Sequence, residues 1–251
     1  MYLLFHKAFG GEPDTAFLDV LLSDATRDAL EGYADDNATM NGLARFLSQL
    51  AHNSSESFVA QTKSEFARYF VGPMALAACP YESPYRTNES TLFQQNTEDV
   101  RAIYRAHGLL PKGYLHVPDD HVALMCAFMA RLAAETLSAL RENKLTSLQN
   151  MLEEQAAFAS EHLANWTPRY ALQVRAERMP KLYPQLIEGF AAFTQVDAAF
   201  LERCASWAKG RAALPDVCRL QPSSSVREAF LRLDALDLVG LEDYELGRIS
   251  S

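Results

Sequence analysis

Two carboxylates and an imidazole follow one another in the segment Pro118-Asp119-Asp120-His121, and such groups can bind a metal ion or transfer protons. Consecutive residues on a helix point in different directions, so these three cannot converge on one ion unless the backbone is irregular. A helix start needs only local geometry: Asp119 caps the first turn, Asp120 offsets the positive helix end, and His121 faces a pocket. We therefore predict no metal here, and an accessible carboxylate that can accept a hydrogen bond from arginine.

A second segment, Pro80-Tyr81-Glu82-Ser83-Pro84-Tyr85, combines two prolines with two aromatic rings and a carboxylate. Its rings can plug the core. They can equally form the wall of a groove, in which the rings give apolar area, their hydroxyls give polar tips and Glu82 gives a negative charge. The residues alone leave both interpretations open, just as the Asp-Asp-His segment can be a simple helix cap with a hydrogen-bonded histidine.

Motifs of common enzyme classes are missing from the sequence: it has no Gly-x-Ser-x-Gly elbow, phosphate-binding glycine loop, dinucleotide fingerprint or His-Glu-x-x-His pair. We therefore expect neither an enzyme nor a cofactor. A metal-dependent hydrolase centred on Asp119, Asp120 and His121 is the alternative in the enzyme class.

The composition restricts the class of partner. A formal charge of −9 and a pI near 5.2 repel phosphate, and no basic stripe opposes this, so nucleic acid is not an expected partner. A basic segment would be attracted instead. The four cysteines are widely spaced, which predicts buried, reduced thiols at Cys79, Cys126, Cys204 and Cys218.

The sequence also bears on location. No run approaches the roughly 18 apolar residues that a membrane-spanning helix requires. The first residues lack a basic leader and a small-residue cleavage site. We therefore expect a soluble, cytoplasmic protein without an integral membrane segment.

Helical spacing of apolar residues predicts the elements that must position these segments. The pattern recurs along the chain, and sustained alternation typical of strands is missing, so the predicted fold class is all-α. The longest predicted helix spans 119–142 and should form the centre of the core. Residues 184–209 predict two helices with an interruption at 195–197.

Glycine and proline divide the chain into two predicted parts. Residues 1–210 form one compact multi-helix domain, and Gly210 ends it. Breakers at Leu214-Pro215 and Pro222 set residues 211–251 apart as a C-terminal appendage. Its single amphipathic helix is predicted at 226–238.

Several motifs in the same order resemble the redox enzyme maturation chaperones of the TorD/DmsD type. Residues 65–73, Glu-Phe-Ala-Arg-Tyr-Phe-Val-Gly-Pro, are similar to the family's Glu-Tyr-x-x-Leu-Phe-x-Gly-Pro segment, and residues 80–85 look like its Pro-aromatic-Glu-Ser-Val-Tyr loop. The family's Pro-x-Asp-His before a central helix is matched at 118–121, and Phe158-x-x-x-His-Leu-x-x-Trp166 follows. The resemblance covers about residues 2–208.

This resemblance implies an all-helical cytoplasmic chaperone that holds the twin-arginine signal peptide of a molybdenum-cofactor reductase of the DMSO or TMAO type. The partner would be the apo form of the catalytic subunit, held until the cofactor is inserted and before export. The chaperone would be a monomer or a domain-swapped dimer. A NarJ-like chaperone that binds an unexported amino-terminal segment of a membrane-bound reductase is the alternative.

The binding residues follow by position. An acidic and aromatic groove suits a peptide with a basic part followed by an apolar part. The peptide-binding residues that the resemblance implies are Phe70, Tyr81, Glu82, Ser83, Tyr85, Asp119, Asp120, His121 and Phe128. The helix at 226–238 is expected to lie across this groove when no peptide is bound.

Overall fold

Helices make up most of the computed structural model, which describes residues 1–33, 37–50, 55–72, 76–87, 95–114, 116–175, 182–211 and 223–249. The helices are α1 Tyr2–Gly10, α2 Thr15–Leu21, α3 Asp24–Glu31, α4 Ala38–Leu50, α5 Glu56–Phe66, α6 Ser83–Thr87, α7 Gln95–Ala106, α8 Val122–Arg141, α9 Leu145–Phe158, α10 Thr167–Arg175, α11 Leu182–Ala208 and α12 Ser224–Asp234. π-helical turns at Ala67–Val71 and Ala159–Ala164 extend α5 and α9. The all-α prediction is confirmed.

Helix α8 lies at the centre of the core, as the spacing predicts. Its first eight residues are all buried except Ala127. It packs between α1 and α9. By length and composition α8 could also cross a membrane, contrary to the sequence prediction, but half of its apolar window is buried inside the protein. A core helix has the same character.

Helix α11 is continuous, so the predicted interruption at 195–197 is wrong. Polar side chains there have partners that the local pattern does not reveal. The Asp197 carboxyl group is buried and accepts a hydrogen bond of 2.7 Å from the Tyr2 hydroxyl. The Gln195 amide donates to the carbonyl of Ala164, the last residue of the π-helical turn.

Two of the cysteine predictions need correction. Cys126 is a buried free thiol, and burial raises the pKa of that thiol. Cys79 and Cys204 are also free but only half-buried. Cys218, Pro73 and the predicted breakers at 214–215 and 222 lie outside the described residues.

The C-terminal residues pack onto the helical body. A 3₁₀ turn at Leu241–Tyr244 leads to strand β2, Leu246–Arg248, which pairs antiparallel with β1, Leu109–Pro111. This small sheet has no counterpart in the sequence prediction, because three residues are too few to show an alternating pattern. Helix α12 contacts α1, α2 and α3.

Three leucines, Leu233, Leu238 and Leu241, anchor the C-terminal residues in the core. Leu238 and Leu241 approach the end of α1 closely because Gly10 and Gly11 have no side chain. A Cβ built on Gly11 would lie 2.4 Å from the Leu238 Cβ, and one on Gly10 would lie 3.0 Å from the Leu241 Cδ1. The predicted division at residue 210 stays a prediction.

Gly11→Ala is expected to destabilise the protein by about 1–3 kcal/mol, since the added methyl group overpacks against a Cβ that cannot rotate away. Urea unfolding monitored by circular dichroism measures this. Gly42→Ala is the matched control: a Cβ there meets nothing within 4 Å, and the same change inside α4 should stabilise by up to about 1 kcal/mol. Equal effects of the two changes would contradict the packing account.

Candidate functional site

The two segments that carry candidate chemistry lie side by side in the fold. Tyr81 and His121 form an isolated antiparallel bridge. The Glu82 amide donates to the Asp120 carbonyl at 3.2 Å, and the Val122 amide donates to the Pro80 carbonyl at 2.9 Å. The turn before α6 is thereby fixed against the start of α8, as a site built from both segments requires.

Asp120 fastens this junction with its side chain. Its Oδ2 accepts from the Ser83 amide at 2.9 Å and from the Ser83 hydroxyl at 2.5 Å, and its Oδ1 accepts from the Thr97 hydroxyl at 3.2 Å. All three residues are completely buried. The predicted accessible carboxylate is therefore wrong for Asp120, because its oxygens are already satisfied inside the protein.

Asp119 is also buried, and it does not cap the helix. Its Oδ2 accepts from Nε and Nη2 of Arg101 on α7, at 3.0 and 2.7 Å. The hydrogen bond to Asp119 raises the pKa of Arg101. The N-cap of α8 is His121, whose Nδ1 accepts from the Ala123 amide at 3.1 Å. The Asp119 cap prediction is corrected, since an ion pair occupies its side chain.

Glu82 links α6 to the π-helical turn after α9. Its two oxygens lie 2.8 Å from Arg86 Nη1 and 3.0 Å from His162 Nδ1. The Glu82 side chain is fully buried, whereas Arg86 is 39% exposed. Glu82 thus carries no free charge on the surface, in contrast to its predicted place on a groove wall.

His121 sits among aromatic rings. Its ring centroid lies 4.4 Å from that of Tyr244, 4.9 Å from Tyr81 and 6.4 Å from Phe70. Because Nδ1 accepts a hydrogen bond, neutral His121 carries its proton on Nε2, and Nε2 has no partner although it is buried. Burial lowers the pKa of His121 to about 3, and neighbouring His6 adds to the shift.

The remaining predicted residues divide into two groups. Tyr81 is half-buried and Phe70 is buried beside the His121 ring, so both belong to this aromatic pocket. Tyr85 instead stacks on Trp166, and its hydroxyl donates to the Cys79 carbonyl. Phe128 packs in the core against α7 and α9. The structure therefore brings Phe70, Tyr81 and His121 together, and not Tyr85 or Phe128.

A groove of about 380 Å³ runs along α8 next to this pocket. Small side chains on one face of α8 form its floor: Ala127, Ala130 and Ala134. Phe230 of α12 stands at its edge and is 49% exposed. Motif reasoning missed these residues, although the spacing of the alanines was a readable signal for a close approach to α8.

Charged side chains of both signs line this groove: Asp234 and Glu245 from the C-terminal residues, and Lys7, Lys112 and Arg131. Burial lowers the pKa of Lys7, and Glu245, Asp234 and Asp237 oppose that shift. The Lys7 ammonium donates to the Leu236 carbonyl at 2.6 Å. The sequence has five acidic residues in the twelve positions 234–245. The predicted C-terminal appendage gave these residues no role.

The donor set suits no metal ion. Among the described residues, no group of three or more His, Cys, Asp and Glu side chains is arranged to hold one. Both oxygens of Asp120 accept hydrogen bonds from Ser83 and Thr97, and Oδ2 of Asp119 is paired with Arg101, whereas Oδ1 of Asp119 is buried without a partner. The hydrolase alternative would need several free donor atoms at one place.

Comparisons with known proteins place the chain in a family. A family model described as nitrate reductase delta subunit matches residues 31–171, more than half of the chain. Curated relatives named chaperone protein TorD include one from Photobacterium profundum, 28% identical over 138 residues, which are 55% of this chain and 62% of that relative. The match to this relative therefore spans less than two thirds of its length.

Two further relatives of the same name match over more of their length. The protein from Vibrio cholerae is 28% identical over 72% of this chain and 80% of its own, and that from Vibrio vulnificus is 26% identical over 80% and 93%. No solved structure matches the chain. Chaperones of this name are not enzymes, so the hydrolase alternative falls. The chain belongs to the nitrate reductase delta subunit family, as a maturation chaperone of the TorD type.

Proposed function

We propose that the chain is a cytoplasmic chaperone that binds the twin-arginine signal peptide of a molybdenum-cofactor reductase of the DMSO or TMAO type. It would hold the apo catalytic subunit until the cofactor is inserted, before export. The observation that carries the proposal is the groove on α8, where an alanine floor adjoins the carboxylates of Asp234 and Glu245 beside three basic side chains, Lys7, Lys112 and Arg131. Family membership supports the chaperone class.

The floor suits the apolar part of such a peptide. Ala127, Ala130 and Ala134 recur at three- and four-residue spacing on one face of α8, so a partner backbone can approach the helix closely. The exposed ring of Phe230 and the side chain of Leu3 add apolar area at the sides. Burial of each large apolar side chain of the peptide there would contribute about 1.5–3 kcal/mol.

Exposed carboxylates beside the groove suit the basic part. Asp234 and Asp237 are exposed, and the chain carries a net charge of −9. Arginine can form charge-assisted, bidentate hydrogen bonds with carboxylates of this kind. The attraction also raises the association rate, and added salt should reduce it.

The roles of the motif carboxylates change in this proposal. Glu82, Asp119 and Asp120 act as positioning residues, because their oxygens hold the α6 turn and α7 against the start of α8. The aromatic pocket of Phe70, Tyr81 and His121 would contact the peptide. A binding role for Tyr85 and Phe128 receives no support from their positions.

Ala130→Phe is expected to weaken binding of the signal peptide by at least about tenfold, a loss of about 1.4 kcal/mol, because the ring fills the floor that the peptide would cover. Isothermal calorimetry should use a synthetic peptide of the twin-arginine signal encoded beside the chaperone gene. Unfolding by urea checks that the variant keeps its stability.

Ala133→Phe is the matched control, since Ala133 is exposed on the same helix but does not line the groove. Its affinity for the peptide should stay within about twofold of that of the wild-type protein. Equal affinities of the two variants would reject the groove as the binding site. Failure of the unchanged chain to bind any signal peptide at tens of micromolar would reject the proposed function.

The family description favours a second candidate, a NarJ-like assembly chaperone of a membrane-bound respiratory reductase. Such a protein would bind an amino-terminal segment without twin arginines. Substituting both arginines of the peptide by glutamine separates the two: a large loss of affinity favours the signal-peptide role, and unchanged affinity favours the NarJ-like role. Sedimentation of the complex would decide between a monomer and a domain-swapped dimer.

A further inference from the structure

Residues 242–249, here called the strap, are held much more lightly than the leucines that precede them. Leu233, Leu238 and Leu241 are at most 6% exposed, whereas no residue of the strap is buried. Gly240, with φ of 82°, turns the chain between the anchoring Leu238 and Leu241, and the strap follows directly after Leu241. Few buried contacts mean a low free energy of local opening. The strap can therefore detach while the leucines stay in place.

Backbone hydrogen bonds and one ion pair attach the strap to the rest of the protein. Strand β2 pairs with β1, and the Ile249 amide donates to the Gly108 carbonyl at 2.9 Å. Lys112 and Glu245 form an ion pair of 2.5 Å, and both side chains are more than one third exposed. Exposed ion pairs of this kind contribute little to stability. The edge of β1 is thus covered by a replaceable segment.

The strap covers the aromatic pocket. The Tyr244 ring packs against the His121 ring, with centroids 4.4 Å apart and the planes tilted by 37°. Beneath it the Nε2–H of His121 is completely buried without an acceptor. A buried donor without a partner is costly. A segment that brought an acceptor to this place would be bound more favourably than the strap itself.

The strap also borders the groove. Glu245 and Leu246 line the groove, and Tyr244 lies over the pocket at the start of α8. At about 380 Å³ the groove lies near the lower end of the volumes that hold a drug-sized ligand, so a longer peptide overruns it. The strap therefore contacts both the groove and the pocket.

We propose that the strap is an internal stand-in for the signal peptide: it occupies the β1 edge and the His121 pocket, and an extended part of the bound peptide displaces it. The inference rests on the proposed function. The strap indicates which peptide features the β1 edge and the His121 pocket accept. These are an aromatic ring against His121 and a backbone that pairs with Leu109–Pro111. A basic residue two positions after an apolar one, as in Leu246-Gly247-Arg248, is the third feature.

Tyr244→Ala in the full chain tests the displacement. Loss of the ring weakens the closed strap and so raises the fraction of chains with an open site, and the signal peptide should bind up to about tenfold tighter. Unchanged or weaker binding would overturn the inference, because a strap that helps to bind the peptide would lose affinity. Val239→Ala is the control, since that side chain is 75% exposed outside the strap, and its affinity should not change.

A second variant ends the chain after Leu241, which keeps the three anchoring leucines. A synthetic peptide of residues 242–251, carrying a fluorescent label, should bind this shortened chain and be released by the unlabelled signal peptide. If the signal peptide binds the shortened chain without releasing the label, the inference fails and the proposed function stands. If neither the full nor the shortened chain binds any signal peptide, the proposed function itself fails.

Discussion

Asp120→Ala is expected to lower the free energy of unfolding by about 3–5 kcal/mol, the largest effect of a single substitution at the site. The change leaves the Ser83 amide, the Ser83 hydroxyl and the Thr97 hydroxyl without their acceptor in a place that water does not reach. Each buried donor left unpaired costs about 1–3 kcal/mol. Urea unfolding at neutral pH, with tryptophan fluorescence and circular dichroism, measures the loss.

Asp28→Ala supplies the comparison, because Asp28 is an exposed carboxylate on α3 and its loss should change stability by less than about 0.5 kcal/mol. Asp120→Ala should also weaken peptide binding, but only by loosening the junction of α6 with α8. If Asp120→Ala abolished binding while the free energy of unfolding stayed within about 1 kcal/mol, Asp120 would contact the peptide directly. The positioning role would then be wrong.

The buried hydrogen bonds of Asp120 show what the order of the motifs can and cannot predict. The Pro-aromatic loop and the Asp-Asp-His segment are recognisable in the sequence, and the structure joins them through the Tyr81–His121 bridge. Their exposure is not predictable from either motif. Arg101, which neutralises Asp119, is 18 residues away, and Ser83 is 37 residues from Asp120. Only the tertiary fold decides that these carboxylates are engaged.

Periodicity predicted the helices where apolar spacing was strong, and α8 follows the prediction to within three residues at its start. It failed at α11, because it cannot distinguish a polar residue that breaks a helix from one that bonds across the core. Asp197 is of the second kind, since its partner Tyr2 is 195 residues away. A short strand such as β2 leaves no period to read, and its position depends on β1 being present.

Between pH 7 and pH 5 the protein is expected to lose up to about 4 kcal/mol of stability, because two buried histidines stay neutral in the fold. Burial lowers the pKa of His6 to about 4, although its hydrogen bond to the Ala123 carbonyl opposes the shift, and burial lowers the pKa of His121 to about 3. Unfolded chains bind these protons near pH 6.5. Unfolding therefore takes up protons, and stability that is present above pH 6.5 falls as the pH drops toward 4.

The slope of the free energy of unfolding against pH identifies the groups that cause the loss of stability. Each histidine should contribute about 1.4 kcal/mol for each pH unit below 6.5, so two give about twice that slope. His6→Gln keeps an N–H donor for the Ala123 carbonyl but cannot be protonated, and it should remove half of the slope. His116→Gln, at an exposed position, should leave the slope unchanged. Urea unfolding at half-unit steps from pH 7 to pH 5 gives all three slopes, and equal slopes for the two variants would show that the acid response arises elsewhere. A reduced slope in His6→Gln would instead show that the acid response arises between α1 and the start of α8. Acid would then also loosen the strap, which covers the peptide site.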